Sequence, residues 1–112
     1  MKIIEEPTSL HLLWDHRDVD FTELMKVVVD IERNILAIDA EMHADLEEIL
    51  LENGSEQKNL WGANVYFGKS GNDFIEYTSF INIRPNQDNR SMEILNKSVR
   101  NSVKDIILEL LK

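Results

Sequence analysis

The chain has no cysteine, which excludes disulfides, thiolate zinc sites and cysteine nucleophiles and suits a reducing compartment. Proline and glycine are scarce, with two and four residues among 112, so turns must be built largely from Asn, Asp and Ser. No apolar run approaches the roughly 18 residues of a membrane span, and the start, Met1-Lys2-Ile3-Ile4-Glu5-Glu6, turns acidic too early for a signal peptide. No Gly-rich phosphate loop, nucleophile elbow or paired Cys/His cluster is present. Positive charge is also short. A net charge of −9 argues against duplex nucleic acid, whose binding is driven by neutralising phosphates. The expected location is cytoplasmic, with no membrane partner.

What remains fits one domain, residues 1–112, with a single core. The charge is uneven: up to residue 56 there are 15 acids and 4 bases, a charge of −11, and beyond it 6 acids and 8 bases, +2. The acids alternate with Val, Ile and Leu, as on the wet faces of folded elements.

Residues 2–5 suit a short first strand. Pro7, Thr8 and Ser9 offer a helix start, with Leu10, Leu13 and Trp14 at helical spacing. Asp20 is placed to cap a second short helix over Phe21–Lys26. A hairpin follows. A two-residue turn at Arg33-Asn34 pairs Val27 with Ala40, Val29 with Ile38 and Ile31 with Leu36, giving one apolar face, and Asn34 tolerates a positive φ. From Ala44 the period becomes helical, with Leu46, Ile49 and Leu50 on one side and a stop at Asn53-Gly54; a strand over Ile49–Glu52 entering an Asn-Gly hairpin is the competing pattern. Ser55–Leu60 reads as loop or one helical turn, Trp61–Phe67 as a strand, and Gly68–Asp73 as a turn.

Trp61-Gly62 suggests a large ring packed where the chain turns tightly. Phe74–Arg84 reads as a long strand ended by Pro85, Ser91–Leu95 as a short return strand, and Asn96 as the N-cap of a last helix. Val99, Val103, Ile106, Ile107 and Leu110 form the apolar stripe of that amphipathic C-terminal helix. The sum is α+β, an antiparallel sheet of four or five strands with helices packed on it. Tyr66, Phe67, Phe74, Tyr77 and Phe80 suit sheet packing better than base stacking, because a single-strand reader needs basic residues among its aromatics.

Several segments occur together in one group of proteins: Val28-Val29-Asp30-Ile31-Glu32, His43-Ala44-Asp45, Leu50-Leu51-Glu52-Asn53-Gly54-Ser55, Leu60-Trp61-Gly62-Ala63-Asn64-Val65-Tyr66, Ile81-Asn82-Ile83-Arg84-Pro85 and Asn89-Arg90-Ser91-Met92-Glu93-Ile94. In these the chain resembles a family of small prokaryotic proteins known as a domain of unknown function. The likeness runs from about Val27 to Leu95 and more loosely into the last helix. It implies a shared fold and no particular activity. Asp88 stands where the family usually has Gly.

Two places carry residues suited to chemistry. The loop 84–91 holds Arg84, Asn86, Asn89 and Arg90, with Asn82 on the strand before it. Guanidinium forks and amides of this kind recognise carboxylate or phosphate; the structural alternative is arginines paired with internal acids and amides satisfying their own loop. The second place is Asp39, Glu41 and His43 at i, i+2, i+4, with Asp45 behind. On an extended strand they share a face and offer ligands for a divalent metal or an acid–base pair; the alternative is a solvated face with Asp45 capping a helix. The preferred reading is a non-catalytic binding or regulatory module for a small anionic molecule or protein partner. The alternative is a small metal-dependent hydrolase-like enzyme using the acid–histidine group. Halves of opposite charge and open sheet edges also favour a homo-oligomer, in the simplest case a homodimer.

Overall fold

In a computed structural model, which describes residues 1–17 and 23–112, an antiparallel sheet of five strands lies between helices. The strands are β1 (Lys2–Ile4), β2 (Leu24–Asp30), β3 (Ile35–Ile38), β4 (Leu60–Tyr66) and β5 (Ile75–Glu76), in the order β1-β3-β2-β4-β5. The helices are α1 (Leu10–Asp15), α2 (His43–Glu52) and α3 (Lys97–Leu110). The fold is therefore α+β, ending in the expected C-terminal helix. Among the described residues no helix is long and apolar enough to cross a membrane.

Alternation along the strands sends residues to two separate cores. Met25, Val27, Val29, Leu36, Ile38, Ala63 and Val65 face α3 and α1, where they meet Leu13, Val103, Ile106 and Ile107. Val28, Ile35, Ala37 and Leu60 face α2 and meet Leu46 and Leu50. This corrects the picture of a hairpin with a single buried face: β2 and β3 are covered on both sides, which is why they read as nearly continuous apolar runs.

The hairpin register also differs, by two residues. Val27 pairs with Ile38 and Val29 with Leu36, so the connection is Ile31–Asn34 rather than two residues. Asp30 is the cause. Its Oδ1 accepts from the Glu32 and Arg33 N–H groups, while its carbonyl accepts from Asn34 N–H, which winds the chain into a wider turn. Asn34 supplies the positive φ, 57°. A shift of two leaves every side chain on its original face.

Three other expectations change. Leu24–Lys26 belong to β2, not to a second helix, since Met25 is needed beneath α3; Asp20 and the rest of that helix start lie outside the described residues. The long strand over Phe74–Arg84 stops after Glu76. Ser79 Oγ accepts from Ile81 N–H and opens a 3-10 turn over Phe80–Asn82, leaving Phe80 77% exposed, and Pro85 begins another. Ser91–Leu95 contributes one bridge, Glu93 to Thr78.

The helical reading of 43–52 holds. Gly54 N–H donates to Leu51 C=O at 3.2 Å and Ser55 N–H to Leu50 C=O at 2.9 Å, with Gly54 at φ +105°, the paired closure that favours glycine after a helix. Ser9 and Asn96 cap α1 and α3 through their side-chain oxygens, as anticipated.

Candidate functional site

The 78–95 loop is organised by its amides. Along β4, residues 61, 63 and 65 bond towards β2, so the N–H and C=O of Gly62 point to the other edge, beyond the end of β5. Asn82 completes that edge: Gly62 N–H donates to Asn82 Oδ1 at 2.8 Å, and Asn82 Nδ2 donates to Gly62 C=O at 3.0 Å. The carboxamide thus stands where the next peptide of β5 would be. Asn89 ties the far side, donating to the carbonyls of Asn82, Ser91 and Glu93 and accepting from Leu95 N–H. Both amides are buried.

Arg84 is turned inward, 6% exposed. Its Nε donates to Ile81 C=O at 3.0 Å, Nη1 to Gln57 C=O at 2.8 Å and Nη2 to Leu60 C=O; the Glu47 carboxylate lies 3.6 Å away and the Trp61 ring 4.7 Å. Burial lowers its pKa from the ordinary value, and Glu47 opposes the shift. The guanidinium fork therefore joins the loop to the start of β4 and to α2. Arg90 and Asn86 are exposed. The loop does not present its two arginines to one ligand: one faces the interior, the other solvent.

The acid–histidine group is also dispersed. β3 ends at Ile38, Asp39 takes φ +75°, and His43 opens α2, so the extended run needed to align positions 39, 41 and 43 does not exist. Asp39 and His43 are buried while Glu41 and Asp45 are exposed, Asp45 in the first turn of α2. Among the described residues no three His, Cys, Asp or Glu side chains gather as a metal site. His43 Nε2 bonds Ala63 C=O at 2.7 Å, and burial lowers its pKa below 6.5, with the Lys26 charge adding to the effect against that bond. Gly62 lies beneath it. A Cβ there would sit 2.5 Å from Ser79 Cβ and 3.2 Å from His43 Cδ2, so this glycine permits close packing in a strand and does not make a turn.

A concave surface lies elsewhere. A groove of about 600 Å³ runs along the outer edge of β5, between it and α3. Arg100, Lys104 and Leu108, at i, i+4, i+8 on α3, form one wall, and Lys69 enters from the turn before β5. Arg100 lies 5.4 Å from the Tyr77 ring and Lys69 4.5 Å from the Tyr66 ring. Arg100 holds Ile94 C=O through Nε and Nη2, and its Nη1 has no partner among the described residues. Asp73, Glu76 and Glu93 line the groove too, Glu76 already bound to Asn64 Nδ2 at 2.8 Å and Tyr66 OH at 3.1 Å. Sequence reasoning missed this place because its bases come from segments 31 to 35 residues apart, Lys69 on a turn and Arg100 and Lys104 within an ordinary amphipathic helix. Only the +2 of the second half pointed towards it.

Fold and sites together define a small sandwiched sheet whose buried amides and Arg84 hold irregular loops, with a charged groove at its edge. Over residues 2–110 the chain matches the family described as "Protein of unknown function (DUF5674)", and it belongs to that family. No curated protein and no solved structure matches it.

Proposed function

We propose that the protein is a non-catalytic binding module, and that its anionic ligand enters the groove between β5 and α3. The observation that carries this reading is the grouping of Lys69, Arg100 and Lys104 around one concave surface. Exposed ammonium groups and an arginine with uncommitted donors are what a carboxylate or phosphate requires. The 84–91 loop serves this reading as a framework, since Arg84, Asn82 and Asn89 are engaged internally. Cysteine-free composition suits work in the reducing cytoplasm of a prokaryote.

Calorimetric titration with succinate and with inorganic phosphate tests the reading. The parent and Arg90→Ala are expected to bind alike, and Lys69→Glu/Lys104→Glu to lose binding by tenfold or more. Binding that survives the double variant but disappears in Arg90→Ala returns the site to the loop.

A further inference from the structure

The floor of this groove is an open strand edge. Tyr66 N–H bonds Phe74 C=O at 2.9 Å, and β5 pairs Val65 with Ile75 and Asn64 with Glu76. In such an antiparallel ladder, residues 74 and 76 bond inward to β4, and residues 75 and 77 turn their N–H and C=O outward. Tyr77 C=O accepts from Ile94 N–H at 3.1 Å, and there the 92–94 segment takes over the edge. Ile94 C=O would normally answer Tyr77 N–H, but it is held by Arg100 at 2.7 Å. The Ile75 N–H, Ile75 C=O and Tyr77 N–H are thus left without partners among the described residues, all three along the groove.

We propose that the groove takes an extended peptide segment bearing an acidic side chain, which adds to the sheet as a sixth strand beside β5. This rests on the reading of the groove as the anionic site and names its ligand class. Main-chain bonds to residues 75 and 77 hold the segment, and alternate side chains are read by the two walls. Ile75 packs in the core that α3 covers, so ligand side chains on that face of the sheet meet Arg100, Lys104 and the exposed Leu108. A carboxylate there complements the α3 wall. The mixed lining suits a peptide further, because Asp73 and Glu93 can accept from its N–H groups, which a bare anion does not offer.

The test uses the full chain and peptides selected on it from a phage-displayed library of random dodecamers, with succinate as a separate arm. Selected peptides are expected to carry Asp or Glu, to weaken about tenfold against Lys104→Glu or when N-methylated at an amide facing β5, and to slow amide exchange at Ile75 and Tyr77. Succinate is expected to bind without slowing those amides. If succinate binds the groove while no peptide is enriched over a blank surface, or enriched peptides leave Ile75 exchange unchanged, strand addition is overturned and the anion reading stands. If Lys104→Glu alters neither ligand, both fall. Protection of Ile75 that rises with protein concentration alone gives the edge to a second copy and also overturns the proposal.

Discussion

At the scale of single residues, Arg84 and Arg90 illustrate how one residue type serves opposite ends. Arg84 answers three backbone carbonyls and the nearly buried Glu47; Gln57 C=O also accepts from Leu60 N–H, so Arg84→Ala leaves the Ile81 and Leu60 carbonyls and the Glu47 carboxylate unanswered. A loss of about 3–5 kcal/mol in urea unfolding is expected, with little recovery in Arg84→Lys because an ammonium cannot reproduce the fork. Arg90→Ala is expected to stay within about 0.5 kcal/mol of the parent. His43 makes the stability depend on pH. Its folded-state pKa lies below 6.5, so the unfolded chain takes up the proton first as pH falls. Stability present above that value is lost as pH drops from 6.5 towards the folded-state pKa. Thermal unfolding followed across this range is expected to show a decline in Tm that is shallower in His43→Gln.

At the scale of elements, Gly62 lets β4 and the 78–82 segment approach closely. Gly62→Ala drives a methyl group into Ser79 and is expected to cost about 1–3 kcal/mol; adding Ser79→Gly should restore part of it in the same denaturation assay. The elements legible in sequence are those whose signals are local. Ser9 and Asn96 cap helices, Gly54 stops one, and Leu46, Ile49 and Leu50 set a helical period that outweighs the strand alternative. The illegible ones answer to distant partners. Phe74–Arg84 has a strand's composition, yet Asn82 is drawn out of it by Gly62, twenty residues earlier, and Arg84 by Leu60. Likewise, the Asp30 carboxylate reaching Glu32 and Arg33 widens a turn that residue preferences alone place at Arg33-Asn34. The groupings read from sequence part for the same reason: Arg84 is buried and Arg90 exposed, His43 is buried and Glu41 exposed, while Lys69 and Lys104, far apart in sequence, line one groove.

For the whole molecule, the bases behind the +2 of the second half divide among three places. Arg84 is interior, Lys58, Arg90, Lys97 and Lys112 lie on the open surface, and Lys69, Arg100 and Lys104 line the β5–α3 groove beside Asp73, Glu76 and Glu93. Lys69 and Lys104 are solvent-facing, so raising salt from about 0.05 to 0.5 M is expected to weaken succinate binding several-fold in calorimetry. The central claim is that an anion enters beside β5 and that the 84–91 loop is its framework. An amide chemical-shift map of the full chain titrated with succinate tests it most directly. The account predicts changes gathered at residues 69–77 and 100–108 with 86–91 unmoved; changes confined to 86–91, with the groove silent, would contradict it.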